Sequence, residues 1–234
     1  MLFSRKNLAG SADDDFAFLR RNMVERQIRD RGIRDPRVLN AMNAVPRHAF
    51  VPLDRISHAY IDEPLPIGDG QTISQPFMVA AMAAALALEG SECVLEVGAG
   101  SGYQAAVLAL LARQVITIES RPRLADVARE RLNRLGFHNV SVEQGDGSLG
   151  WPQSVPYDAI LVSAAAPSIP QPLIDQLAES GRIAVPVGDS ESQQVVRLVK
   201  RAGQTTREAL YHCRFVPLVG QYGWPVVALK APSE

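Results

Sequence analysis

Between Val94 and Gly102 the chain reads Val-Leu-Glu-Val-Gly-Ala-Gly-Ser-Gly, an apolar run that breaks into alternating glycines at Gly98, Gly100 and Gly102. The helix-forming Tyr103-Gln104-Ala105-Ala106-Val107-Leu108-Ala109 follows, so the pattern is strand, tight loop, helix. Glycine adopts positive φ and carries no Cβ, so backbone can close up on a ligand while the next helix presents free N–H groups to it. Such a turn supports nucleotide binding. Glu119 lies about 20 residues further on, at the end of the next apolar segment, where a carboxylate accepts hydrogen bonds from ribose hydroxyls. Asp146, in Gly145-Asp146-Gly147-Ser148, follows the segment after that and either reaches an adenine or caps a turn.

Two ligand classes use a turn of this kind. A dinucleotide site wants Gly or Ala where this chain has Tyr103, and a helix start that is clear for a pyrophosphate. Glu96, inside the strand, sits poorly beside a diphosphate. It suits the cationic amino group or sulfonium of S-adenosylmethionine, directly or through water, so the balance favours that cofactor over NAD. The plainer account of Glu96 is a strand-end carboxylate paired with an arginine.

The elements that must position these groups surround them. Beyond the glycine turn, residues 115–119, 140–144, 158–163 and 182–187 read as strands, with helices over 122–135 and 170–179 between them. Residues 195–200 and 208–215 complete the series. This alternation predicts an α/β fold with a seven-stranded, mostly parallel, doubly wound sheet, whose ligand lies beyond the carboxyl ends of the strands. Upstream, a helix over 16–30 and a second one starting at Asp35-Pro36 form a helical N-terminal addition. Residues 46–75 are rich in Pro, Gly and Asp without clear periodicity, which marks a functional connection or a lid. Residues 77–88 are apolar nearly all round and predict a buried helix. Residues 1–15 have no periodicity and read as a disordered tail, leaving 16–234 as a single domain.

A chain of 234 residues with 47% hydrophobic and 21% charged residues has the composition of an ordinary globule, and a net charge of -1 creates no field to gather nucleic acid or anionic lipid. The longest apolar run, 78–88, falls short of the roughly 20 residues that cross a bilayer. The start has Arg5 and Lys6 but no apolar stretch, and Asp13-Asp14-Asp15 is unlike a transit peptide, so a cytoplasmic address is expected. Cys93 and Cys213 lie in apolar strand-like segments and read as small buried hydrophobes. No metal site is expected, because His48, His58, His138 and His212 show no ligand spacing.

Several blocks together carry a resemblance. They are Met23-Val24-Glu25-Arg26-Gln27-Ile28, Val45-Pro46-Arg47-His48-Ala49-Phe50-Val51-Pro52, Gly70-Gln71-Thr72-Ile73-Ser74-Gln75-Pro76, the glycine turn, Gly145-Asp146-Gly147-Ser148, Ala164-Ala165-Ala166-Pro167 and Arg214-Phe215-Val216-Pro217-Leu218. From about Met23 to Trp224 the chain is similar to the protein-L-isoaspartate O-methyltransferase family, with the Gly70–Pro76 block the narrowest match. The resemblance implies an S-adenosylmethionine-dependent methyltransferase of Rossmann-like fold. Its reaction moves a methyl group to the free α-carboxyl of isoaspartyl residues in damaged proteins and peptides; the ester cyclises to a succinimide, and hydrolysis returns some normal aspartate. The resemblance puts Ser74 in the active site; the residues themselves add Thr72 beside it and Glu96, Gly98, Gly100, Gly102, Glu119, Asp146 and Gly147 at the cofactor. It puts Gln71, Thr72, Ser74, Val216 and Pro217 at the substrate. Residues 1 to about 20 have no counterpart in that pattern, and Ala99 stands where Thr is common.

A carboxylate acceptor is already ionised at pH 7 and needs no general base. Catalysis then comes from alignment, which can supply roughly 7 to 11 kcal/mol. Thr72 and Ser74 can donate hydrogen bonds to the acceptor, and a helix starting near Pro76 would add its positive end. Ser74 also suits a plain helix cap, a role compatible with holding substrate. Rival functions are methylation of a different carboxylate or protein acceptor, and an NAD-binding oxidoreductase.

Overall fold

The computed structural model describes residues 6–225, with side chains described from residue 14. Helix α1 (Lys6–Asn22) runs on into a π-helical turn, Met23–Arg29, that buries Met23, Val24 and Ile28. The helix starts at Lys6 rather than Phe16, so the expected tail of residues 1–15 is corrected over 6–15; residues 1–5 lie outside the described residues. Lys, Leu and Ala are good helix formers, which lets the helix extend without an amphipathic period to announce it. Helix α2 (Pro36–Ala44) begins as expected: the Asp35 carboxylate accepts from Arg37 N at 2.8 Å, with Pro36 in the first turn.

Strands β1 (Leu65–Gly68) and β2 (Gln71–Ile73) form a small antiparallel hairpin where only an irregular connection was expected. Its two-residue turn has positive φ at both Asp69 (52°) and Gly70 (69°), the backbone a tight hairpin requires. Helix α3 (Pro76–Ala85) follows and is buried on almost every side.

The main sheet has the order β5-β4-β3-β6-β7-β8-β9. Its strands are β3 (Cys93–Val97), β4 (Gln114–Glu119), β5 (Val140–Gln144), β6 (Tyr157–Val162), β7 (Leu177–Gly188), β8 (Gln193–Arg201) and β9 (Gln204–Cys213). Pairings from β5 through β7 are parallel, and the last two are antiparallel. Helices α4 (Tyr103–Ala109), α5 (Pro122–Arg134) and α6 (Gln171–Asp175) connect them. Helix α6 is shorter than expected, and β7 begins where that helix should have continued. Leu177 pairs with Tyr157 of β6, and Tyr157 N donates to Gln176 O, so sheet pairing overrides local helix preference.

Alternation along β3 sends Leu95 and Val97 into one core and Val94 into the other, where α2 to α5 pack. The sequence order of the strands reverses at β3, which has β4 on one side and β6 on the other, and that is where an open α/β sheet leaves a crevice. Because β9 runs parallel to β7, its last residues arrive at the same end of the sheet as the carboxyl ends of β3 and β6.

Candidate active site

At that end lies a cleft with about 810 Å³ of space not filled by atoms. Its floor is the glycine turn. Gly98 N and Ala99 N both donate to Ile118 O, at 2.8 and 3.1 Å, which pins the turn to the end of β4. Gly98 needs its positive φ of 94° there. Glu119 ends β4 on one wall: Oε2 accepts from Gly100 N at 2.8 Å and Oε1 from Arg121 N at 3.0 Å. The Ser120 hydroxyl also donates to Oε1 at 3.5 Å, so of about four carboxylate acceptor sites one remains for a ribose hydroxyl. Gly147 approaches so closely that a Cβ there would sit 2.4 Å from Val97 Cγ1. The opposite wall is β2 with the following residues, Gln71 to Ser74, and the far rim is Val216 to Val219. Gln71 Oε1, in the amide orientation that satisfies both side chains, accepts from Arg121 Nε and Nη2 at 3.2 and 3.0 Å. At the hairpin tip Asp69 pairs with Arg123 at 2.8 Å. The hairpin is thus tied to the start of α5 across the cleft.

A second hollow, with about 160 Å³ of room for solvent, adjoins the first. Thr72, Ser74, Ser163 and Val216 line both. The remaining wall of the second comes from Pro64, Gln75 and Met78 on one side and from His212 to Phe215, around the end of β9, on the other. Phe215 N donates to Gln193 Oε1 at 2.7 Å, and Ala165 N donates to Val216 O at 2.8 Å, so the segment leaving β9 is held on both sides. Among the described residues neither the Thr72 nor the Ser74 hydroxyl has a hydrogen-bond partner. Ser74 does not cap α3. The residue at the cap position is Gln75, without a side-chain bond, and Phe77 N donates instead to Asp62 Oδ1 at 2.9 Å. Asp62 also pairs with Arg31, whose guanidinium lies 3.6 Å over the Phe77 ring. The positive end of α3 is therefore answered by Asp62, and its expected help to the acceptor is corrected.

Three residues expected at the cofactor lie elsewhere. Glu96 is fully buried and does not line the cleft, because strand alternation turns it into the helical layer. Its Oε2 accepts from Thr117 Oγ1 at 2.6 Å, and its Oε1 has no partner. It does not form the arginine pair of the plainer account. Burial pushes its carboxyl up to about 8; the Thr117 hydroxyl opposes the rise and the Glu119 charge adds to it. Gly102 faces α5, where a Cβ would sit 3.3 Å from the Leu132 side chain. Asp146 caps a short turn, accepting from Ser148 N at 2.9 Å, and its other oxygen holds Gln221 N at 2.8 Å. Gln71 and Pro217, expected at the substrate, line the first cleft and not the second.

Sequence reasoning missed Ser163 at the junction of the two hollows, although its position just past β6, at a strand carboxyl end, is where such a sheet binds ligands. Arg47, part of the Val45–Pro52 block, lines neither hollow. That side chain is fully buried, donates from Nε to Ala59 O at 2.7 Å and lies 4.9 Å from the centre of the Tyr103 ring, with no carboxylate partner. Burial lowers its pKa, and the Tyr103 hydroxyl works against that shift. Trp224 is a packing residue, its Nε1 donating to Ala165 O at 3.1 Å. No group of metal ligands occurs among the described residues, and no helix among them is long and apolar enough to cross a membrane.

A mostly parallel sheet, a pinned glycine turn and a strand-end carboxylate have the architecture of a Rossmann-like nucleotide-binding fold, here with a second hollow beside the turn. The family model for protein-L-isoaspartate(D-aspartate) O-methyltransferase matches residues 19–223, and the chain belongs to that family. It is 55% identical over 205 residues to a protein-L-isoaspartate O-methyltransferase of Methanoculleus marisnigri, covering 88% of this chain and 93% of the relative. It is 56% identical over 221 residues to protein-L-isoaspartate O-methyltransferase 1 of Rhodopseudomonas palustris, covering 94% and 90%. Among solved structures, a protein-L-isoaspartate O-methyltransferase superposes with a TM-score of 0.78 at 29% identity, over 87% of this chain and 67% of the other. A beta-aspartate methyltransferase from Plasmodium falciparum, solved with S-adenosyl-L-homocysteine, superposes with a TM-score of 0.73 at 27% identity, over 86% and 98%.

Proposed function

We propose that this chain transfers a methyl group from S-adenosylmethionine to the free α-carboxyl of isoaspartyl residues in damaged proteins and peptides, the first step of repair through a succinimide. One observation carries the reading most: two hollows meet at Thr72, Ser74, Ser163 and Val216, with the Thr72 and Ser74 hydroxyls left without a partner. The first hollow has the donor set for the cofactor. Glu119 keeps an acceptor site for the ribose, and Gly98, Gly100 and Gly147 keep the wall bare of side chains. S-adenosylmethionine supplies a methyl group activated by a positively charged sulfur.

The protein's own work is binding and alignment. Thr72 and Ser74 can donate hydrogen bonds that hold the acceptor carboxylate at the junction. None of the four junction residues is a base, and none is needed, since the carboxylate is the ionised form near neutral pH. Val216, with its carbonyl already held by Ala165 N, gives that junction a fixed floor. Glu119, on the cofactor side, is the one carboxylate lining either hollow among the described residues, so the acceptor side does not repel an anion.

The sequence also favours the cytoplasm as the place of action, with damaged proteins as partners and neither nucleic acid nor membrane. Two free cysteines, Cys93 and Cys213, suit a reducing compartment. The decisive experiment offers the enzyme and labelled S-adenosylmethionine a matched pair of peptides, one with isoaspartate and one with aspartate at the same position. Label entering the isoaspartyl peptide alone is expected. Equal labelling of both, or labelling of neither, would overturn the acceptor assignment.

A further inference from the structure

The second hollow is much larger than one carboxylate requires. It has about 160 Å³ of room for solvent, space for roughly ten waters at about 10–15 Å³ each, whereas a carboxylate displaces only one or two. The residues shared with the cofactor cleft mark the point of methyl transfer, so the rest of the hollow must face the substrate chain next to the acceptor.

That remainder carries a definite charge. No Asp or Glu lines it. Cys213 adds no negative charge near neutral pH, because burial pushes its thiol up to about 11. Arg214 and His212, both exposed, line this hollow and not the cofactor cleft. Arg214 has no carboxylate partner among the described residues. His212 Nε2 meets Gln194 Nε2 at 3.3 Å across the β8–β9 pair, which steadies the ring at the strand end. A guanidinium standing free on the wall of an otherwise neutral hollow is a ready partner for a carboxylate. It is not placed to hold the reacting one, whose junction it does not line.

We propose that Arg214, with His212 beside it, forms a second anion subsite that takes the acidic side chain of a residue adjacent to the isoaspartate, so that damaged sites flanked by Asp or Glu are the preferred substrates. The inference rests on isoaspartate being the acceptor. Because both side chains are solvent-exposed, the expected preference is modest, about two- to five-fold per flanking charge.

The test uses isoaspartyl peptides that differ only in carrying Glu, Gln or Lys directly before or directly after the isoaspartate. For each enzyme, kcat/KM is expressed relative to its own Gln peptide, which cancels any loss of folded protein in a variant. In the wild type the Glu peptide is expected to exceed the Gln peptide by about two- to five-fold and the Lys peptide to fall below it, with the spread shrinking at high salt. The ratios should collapse toward one in the Arg214→Met, His212→Gln double variant and recover in Arg214→Lys. A flat wild-type profile overturns the subsite, as does a preference that survives in the double variant. Failure of every isoaspartyl peptide to be methylated would instead overturn the proposed function itself.

Discussion

On the cofactor side of the site, Glu119 commits both carboxylate oxygens to backbone N–H groups, and the glycine turn hangs from Ile118 O. On the acceptor side, the Thr72 and Ser74 hydroxyls bond to nothing among the described residues, and the wall is built from a small hairpin and the tail of an edge strand. The first wall is continuous with the buried sheet and inherits its rigidity. The second is attached to it through side-chain ties such as Asp69 to Arg123 and Gln71 to Arg121. The contrast teaches that binding groups made of backbone are bought with fold stability, whereas groups made of free hydroxyls can be changed without touching it.

Four experiments break or sharpen that contrast. The largest effect belongs to Glu96→Gln. Its carboxyl titrates near 8 in the fold and near 4.5 when unfolded, so the folded state holds a proton that the unfolded state releases. Wild-type stability should therefore fall as pH rises from about 4.5 to about 8 and level off above that, at about 1.4 kcal/mol per unit. The glutamine variant lacks this slope, and denaturant titrations across that range should show it gaining on the wild type by up to about 5 kcal/mol; parallel curves would refute the buried neutral carboxyl. Gly147→Ala comes next. Its Cβ would meet Val97, and overpacking of this kind costs about 1–3 kcal/mol, visible both as a lower Tm and as weaker cofactor binding by calorimetry. Ser74→Ala should lower methylation ten-fold or more, roughly 1.4 kcal/mol, while Tm and cofactor affinity stay near wild type. A fall in Tm equal to that of Gly147→Ala would erase the distinction between the walls. The smallest change is Asp69→Ala. Its ion pair with Arg123 is 61% exposed on the arginine side and screened by solvent, so the expected change is a rise in the cofactor KM of no more than about five-fold that high salt reproduces in the wild type.

Much of the scaffold was legible because it follows local periodicity. Short apolar runs between helical segments placed every strand of the main sheet within a few residues, and the Asp35-Pro36 start of α2 was read correctly. The misses have physical causes of a different range. The β1–β2 hairpin carried the Asp69-Gly70 signal of a tight turn but was masked by the prolines and glycines around it. The short α6 and the early start of β7 depend on a partner strand 20 residues away in sequence, Tyr157 with Leu177. For the site, residue types were readable and orientations were not. Gly98, Gly100, Glu119, Gly147, Thr72, Ser74 and Val216 all come together, while Glu96 and Asp146 point elsewhere because a one-residue step along a strand reverses a side chain and a nearby loop offers N–H groups to cap. The cap on α3 comes from Asp62, 15 residues before Phe77, a relation no local window contains.

That distant cap has an evolutionary consequence. Had Ser74 started α3 itself, any replacement of it would have threatened the most apolar helix of the molecule. With Asp62 and Arg31 securing the helix from outside, the residue in the acceptor hollow is free to vary without unfolding its own support. Acceptor chemistry and helix integrity can thus be selected separately, and a new acceptor could be sought by randomising residues 72–75 in a background whose foldability is already insured.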